Sequence, residues 1–503
     1  MKMKLSKIAL AVAALGASQA AFALTPAQVA AGPTTFVWLS GASAPTNSVF
    51  RSVLSLCNGI AGNGGANDAH MYLEETGTEP GRDSGNRMAY ACTMSSAAGA
   101  LAGKKVVVYH TVEGGSFNAY APHLSMAGEN SPFLPGSLKR INDVAVLGGG
   151  GKCATGAPDG TTNVVIAGVP YPIPRYNNCT DTITKNFSAA LKGDAAGVPG
   201  ESYPDGGFSD TEYVINKLNL DITRDVSAIG SEVATNIGQA FGVGVSYPLY
   251  HQLQTNDIDS GALPASCGDG SATAPNQTPA CQPGLPAQRY TAIANRDTVG
   301  AVDASLFGGP AGSVVNLARR VPTSGTQSAS NIRFLHKPCA TGVPGGVLEP
   351  ARAADSTSTA ILTEQSGTSG VKRELNTATG ANQFALGVVS MENAPVPTAT
   401  DDRWAFVKLD NVSPNVLPDD TPDPNHRANA MDGFYTFWYE VASFTAGGSA
   451  SPASPSGAQL IAAATATLGN NDLRGIFATP VAGSSGPTSK GARLGNSCQP
   501  PVQ

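Results

Sequence analysis

Short apolar runs recur along the whole 503-residue chain, set between stretches rich in Gly, Pro, Ser and Asn. Brief runs of apolar and β-branched residues bounded by turn formers predict strands over 35–39, 105–111, 163–169, 242–247, 313–321, 384–390 and 433–441. Apolar residues recurring at helical spacing predict helices that begin near Thr46, Phe117, Thr211, Ser231, Gln327 and Ala458. Strands that alternate with helices mark an α/β protein. The clearest loops fall at 58–70, 148–162, 193–207, 260–287, 395–430 and 446–457, and no internal repeat is present.

Four of the strand-to-helix turns share one design. The first runs through Ser40-Gly41-Ala42-Ser43-Ala44-Pro45, after which Val49, Phe50, Val53, Leu54 and Leu56 line one helical face. Pro45 sits near the first turn, where its missing N–H costs nothing. The second runs through Glu113-Gly114-Gly115-Ser116 into Phe117, Tyr120 and Leu124. In the third, Gly206-Gly207-Phe208-Ser209-Asp210-Thr211-Glu212, Ser209 and Glu212 have capping-box spacing. The fourth leaves the strand at Arg319-Arg320 and passes through Val321-Pro322-Thr323-Ser324-Gly325-Thr326. A strand that ends in a guanidinium and turns through hydroxyl residues into a helix N-terminus suits an oxyanion. Backbone N–H groups and the helix dipole face the ligand, and Arg grips two oxygens at once. Four such turns converging from two α/β lobes would form a small, dry anion cleft.

The first residues change where this chemistry is expected to operate. Lys2, Lys4 and Lys7 precede and flank an apolar run over 8–15, and Ala21-Phe22-Ala23 offers a small-x-small cleavage site. This is the pattern of a secretory signal peptide over 1–23, which places the mature chain in the periplasm or outside the cell. No Cys follows the apolar run, so a lipid anchor is not expected. No later stretch reaches the roughly 18 apolar residues needed for membrane insertion. Residues 24–503 carry 28 Lys and Arg against 37 Asp and Glu, a net charge of −9. That balance argues against nucleic acid or an anionic membrane as partner.

Eight cysteines fit an oxidising compartment, since they are even in number and none forms a C-x-x-C pair or lies beside a His at zinc spacing. Cys153 with Cys179, and Cys267 with Cys281, each close a Gly/Pro/Asn-rich segment with no apolar period. Cys57 with Cys92 and Cys339 with Cys498 are the remainder. Length, with 58 Gly, 36 Pro and 14% charged residues, predicts two domains with long loop insertions stapled by disulfides.

Other motifs fall away. Gly148-Gly149-Gly150-Gly151-Lys152-Cys153 lacks the first glycine and the Ser/Thr of a phosphate loop, and Gly41-Ala42-Ser43-Ala44-Pro45 lacks the closing glycine of a hydrolase elbow. The six His show no i, i+4 pair. Asp401, Asp402, Asp419, Asp420 and Asp423 read as solvated loop acids, and Phe434, Tyr435, Phe437, Trp438 and Tyr439 as packing residues. No metal, cofactor or catalytic residue is expected, and the protein is not expected to be an enzyme.

In order and composition, Gly41-Ala42-Ser43-Ala44-Pro45, Gly115-Ser116, Ser209-Asp210 and Arg320 through Ser324-Gly325-Thr326 resemble the periplasmic phosphate-binding proteins of phosphate ABC transporters. Leu386-Gly387-Val388-Val389-Ser390 and Phe434-Tyr435-Thr436-Phe437-Trp438-Tyr439 resemble that family's returning and late first-lobe strands. The resemblance implies a two-lobed fold of the type II periplasmic binding protein kind. The first lobe would take 24–245 and 392–503, the second 246–391, with 242–248 and 384–391 crossing between them. Carried over by motif, Ser43 and Ser116 donate hydroxyls, Ala44 its N–H, Arg320 clamps the anion, and Ser324, Gly325 and Thr326 donate from the second lobe. Asp210 accepts a proton from the ligand, and Arg320 is expected to hold it ionised. Phosphate or a similar tetrahedral oxyanion is the implied ligand and a transporter permease the implied partner. The family usually has an aromatic at the place of Ala44 and an acid at that of Pro322. Losing the first opens the pocket, and losing the second removes a partner that would orient Arg320. Inserts near 58–104, 121–205 and 252–310 also allow a cell-surface or matrix interaction protein on the same scaffold.

Overall fold

Strand β1 (Thr34–Gly41) is buried from Val37 onward because parallel neighbours flank it and packed segments cover both its faces, the setting that a continuous apolar run requires. It belongs to a 14-stranded mixed sheet in a computed structural model that describes residues 24–80, 84–144, 153, 157–187, 200–395, 402–470, 473–480 and 487–502. The expected signal peptide and the 148–152 loop lie outside these residues. The strands that carry the site are β1, β2 (Lys105–Thr111), β3 (Gly206–Ser209), β4 (Gly230–Ser246), β5 (Val315–Arg320), β6 (Ala360–Gln365), β7 (Phe384–Ser390) and β8 (Trp438–Ala446). They lie in the order β6-β5-β7-β4-β8-β3-β1-β2, and the sheet continues through Arg87–Thr93, His70–Leu73, Val169–Tyr176 and Gly160–Ile166. β1 is parallel to β2 and β3, and β5 is parallel to β6 and β7, whereas β4 is antiparallel to β7 and β8.

The 17-residue β4 joins the two ends of this sheet. Its first part pairs with β8, and Phe241 to Val245 pair with Ser390 to Leu386 of β7. A helix was expected from Ser231, and the structure overturns it. Residues 231–234 alternate in exposure and pair with β8, and Asn236, at φ 57°, marks a break in register between Ala234 and Gly238. Cross-strand pairing with β8 decides the conformation here, over the local helical spacing. The strand expected over 163–169 is two strands, Gly160–Ile166 and Val169–Tyr176, turned at Ala167 and Gly168, both with positive φ. That is the two-residue turn a hairpin favours.

The longer helices are α1 (Thr46–Ser55), α2 (Tyr247–Asp259), α3 (Gly325–Leu335), α4 (Thr368–Gly380) and α5 (Pro455–Thr467). Val53 and Leu54 of α1 and Leu460 and Ile461 of α5 pack with Val37, Leu39 and Val108 in one core. Phe334 of α3 and Val371 and Leu375 of α4 pack with Val243, Leu317 and Leu386 in another. α2 and α4 were not foreseen.

All four disulfides form as expected: Cys57–Cys92, Cys153–Cys179, Cys267–Cys281 and Cys339–Cys498. Cys267 and Cys281 share a small cluster with Leu263, a loop with little core of its own, but Cys57 and Cys92 lie inside a main core. The bridges fit an oxidising compartment. Among the described residues no helix is long and apolar enough to cross a membrane.

Candidate functional site

Each of the four turns follows a strand end that its neighbours fix. Gly41 closes β1 at φ +126°, where a Cβ would lie 2.2 Å from the Phe208 carbonyl of β3, so only glycine lets these two strands approach. The chain then passes Ser43 and the fully buried Ala44 into α1. β2 leads through Gly114 and Gly115, both with positive φ, into a 3-10 turn, Ser116–Ala119. β3 leads to Asp210, and β5 to Ser324, the N-cap of α3.

These turns meet. The Arg320 Nη1 donates to Ser43 Oγ at 3.1 Å, joining the fourth turn to the first. The Asp210 N–H donates to Ser116 Oγ at 3.3 Å, and Thr326 Oγ1 donates to Asp210 Oδ2 at 3.4 Å. Phe117 N–H donates to the Thr323 carbonyl at 3.0 Å, and Thr323 Oγ1 to the Gly114 carbonyl at 2.6 Å. Ser324 and Gly325 close the ring by proximity, since a Cβ on Gly115 would lie 2.7 Å from Ser324 Cα and one on Gly325 would lie 2.3 Å from Ser116 Oγ. Gly325→Ala is therefore expected to part the turns and cost about 1–3 kcal/mol; a thermal midpoint equal to that of the wild type would contradict this packing.

All the expected site residues except Ser43 are buried, and Ser43 is partly exposed. Burial lowers Arg320 to about 10, against the favourable charge of Asp210, so it remains a cation at neutral pH. Burial likewise pushes Asp210 up to about 6, against the pull of Arg320 and the hydroxyls of Ser116 and Thr326. Arg320 thus holds Asp210 ionised only above that value. Asp210 Oδ1 is buried with no hydrogen-bond partner, an acceptor with nothing to accept from.

Asp210 does not cap the following helix. That helix is Tyr213–Asn219 with Glu212 as N-cap, and neither is Ser209–Glu212 a capping box. Ser209 Oγ donates to the Thr211 carbonyl, while the Glu212 carboxylate takes Ser497 N–H and hydroxyl. Two of the acids read as solvated are buried as well. Asp402 pairs with Lys372 at 3.5 Å, and Asp423 accepts from the N–H groups of Asn425, Arg427 and Ala428. Unpaired backbone N–H groups draw carboxylates into such turns. Tyr435, Phe437, Trp438 and Tyr439 pack in the core, but Phe434 is exposed.

Sequence reasoning missed what orients Arg320. Its Nε donates to the Gln365 carbonyl at 3.2 Å, its Nη2 to the Ser366 carbonyl at 2.8 Å, and its Nη1 also to Thr368 Oγ1 at 3.1 Å. The end of β6 and the start of α4 thus hold the guanidinium in place. A signal existed: Ser366-Gly367-Thr368 repeats Ser324-Gly325-Thr326, at the end of the parallel neighbour of β5. Arg319, by contrast, turns away to the Ala351 carbonyl. Chemically, the ring offers one cation and several hydroxyl and N–H donors to a group of oxygens, and one carboxylate that accepts. No cluster of three or more His, Cys, Asp or Glu able to hold a metal occurs among the described residues.

No protein-family model matches the chain, and no curated protein does. Among solved structures it is similar to the crystal structure of a possible phosphate binding protein from Planctomyces limnophilus DSM 3776, at 13% identity and a TM-score of 0.25. The match covers 48% of this chain and 63% of that one, less than two thirds of the other protein. A superposition this loose carries no argument about fold or function.

Proposed function

We propose that this protein is an extracytoplasmic solute-binding protein that holds phosphate or a similar tetrahedral oxyanion between two lobes, without catalysis. One observation carries the reading: residues spread over almost 300 positions (43–326) are drawn together by two sets of direct contacts, Arg320 with Ser43 and Asp210 with Ser116 and Thr326, and the short 320–326 turn joins the two sets, all of it buried except Ser43. The pairing of 241–245 with 386–390 supports reading these segments as the two crossings between lobes 24–245 with 392–503 and 246–391. Delivery to a transporter permease belongs to the same reading.

A ligand that binds only the folded state raises its thermal midpoint. Phosphate and arsenate are expected to do so with the purified mature protein. A midpoint unmoved by millimolar phosphate would remove the reading.

The acceptor role of Asp210 predicts discrimination. An ionised carboxylate has no proton to donate, so it admits hydrogen phosphate and rejects sulfate. Its folded pKa of about 6 sets the window: sulfate should compete with phosphate at pH 5, where Asp210 is protonated and donates, and fail to compete at pH 8. Asp210→Asn, which donates at every pH, should let sulfate compete at both. Sulfate binding to the wild type as tightly as phosphate at pH 8 would exclude the acceptor role.

A further inference from the structure

Phe434 is the one exposed ring among the described Phe, Tyr and Trp residues, at 61%. Its neighbours hold it there. Gly433 has a positive φ, and Tyr435 is anchored at both ends, its N–H donating to the Asn429 carbonyl at 2.9 Å and its hydroxyl to the Phe241 carbonyl at 2.7 Å. A ring that the backbone fixes in water forgoes the burial that ordinarily makes an aromatic side chain stabilising. It lines a cavity of about 410 Å³, within the roughly 300–1,000 Å³ of small-molecule sites.

Asn429 lines the same cavity and is only 5% exposed. Its Nδ2 donates to the Ser413 and Val416 carbonyls, both at 2.8 Å. Turning the amide over would set its oxygen against those two carbonyls, so Oδ1 is fixed as an acceptor. That oxygen takes no hydrogen bond among the described residues. Across the cavity, Leu409 and Val412 exchange hydrogen bonds of 2.9 and 3.0 Å around Asp410 and Asn411, both with positive φ, the two-residue turn of a hairpin. Arg333 of α3 donates to Asp410 Oδ2 at 2.7 Å and to Thr436 Oγ1 at 3.2 Å. One guanidinium therefore ties the wall that carries Asn411 to the wall that carries Phe434. The side chains of Asn411 and Asp420, also in the lining, make no hydrogen bond among the described residues. Lys408 and Asp420 are the charged residues of the lining, and their charges balance.

An exposed ring face beside free acceptors and an amide, with no net charge, complements a neutral molecule that has a C–H face and a rim of hydroxyls. We propose that this cavity binds a sugar ring, a pyranose whose C–H face lies on Phe434 while its hydroxyls donate to Asn429 Oδ1 and Asp420 and pair with the Asn411 amide. An anion gains little from a lining whose charges cancel. An ammonium ion finds one ring rather than a cage, with Lys408 in the same wall. The cavity shares no residue with the turns around Arg320, so this site and the anion site stand or fall separately.

Saturation-transfer NMR on the mature protein tests the assignment. Glucose, galactose, mannose and N-acetylglucosamine are offered free and as linked oligosaccharides, with choline as the cationic control. Transfer to at least one sugar is expected, strongest at the C–H protons of one ring face. Binding of a free sugar alone marks a soluble ligand, and binding of chains alone marks a polysaccharide. Phe434→Ala is expected to weaken that binding about three- to tenfold. Phe434 belongs to neither main core, so this variant should keep the wild-type thermal midpoint. Asp420→Asn suits the positive φ of its position and should weaken binding about threefold or more, since a charged acceptor holds a hydroxyl more strongly than an amide oxygen does. No transfer to any of these sugars, equal transfer in wild type and Phe434→Ala, or transfer to choline alone would overturn the assignment.

Discussion

Arg320→Ala is expected to lower phosphate affinity by about 3–5 kcal/mol, on the order of a thousandfold, because it removes the one cation that the described residues bring to these turns and leaves the anion buried without that counter-charge. The guanidinium reaches Ser43 on one side and is held by the Gln365 and Ser366 carbonyls and the Thr368 hydroxyl on the other. Truncation strands those acceptors, so some stability, about 1–3 kcal/mol, should go as well. Arg320→Lys keeps the charge but not the planar fork, and should recover only part of the affinity. Arg319→Ala provides the contrast. Its side chain is buried against the Ala351 carbonyl, 3.9 Å from Glu364, so it should cost stability and leave phosphate binding alone. Calorimetric titration of the three variants, with thermal unfolding alongside, separates these effects. Equal phosphate affinity in wild type and Arg320→Ala would eliminate the site.

The largest effect on stability is expected from removing the Cys339–Cys498 bridge. It joins residues 159 apart in sequence, against 14 for Cys267–Cys281. In the chain-entropy treatment the long closure is worth about 5 kcal/mol and the short one about 3. The C-terminal segment keeps other anchors: Arg493 N–H donates to Glu440 at 2.7 Å, and Ser497 N–H donates to Glu212 at 2.7 Å. These should hold the loss in Cys339→Ser with Cys498→Ser to about 3–5 kcal/mol, the larger of the two disulfide variants in denaturant titration. Under the proposed division the bridge also ties 246–391 to 392–503, so its removal should weaken phosphate binding. If the Cys267–Cys281 variant proves the less stable, the entropic account is wrong for this protein.

The sequence alone determined the elements whose signals are local. β2 and β7 appear where their apolar runs predict them, since a buried strand needs only such a run and turn formers at its ends. α3 begins within two residues of its expected start, because Ser324-Gly325-Thr326 supplies the turn chemistry in place. The close disulfides were legible for the same reason. Only the tertiary structure decided β4, a strand by virtue of β7 and β8 on its edges rather than by its own spacing. It also decided the support of Arg320, which comes from residues 45 to 48 positions away through the β5–β6 pairing. It decided the state of Asp210 too, which burial raises to about 6, since desolvation is a property of the packed interior that no local pattern of residues encodes.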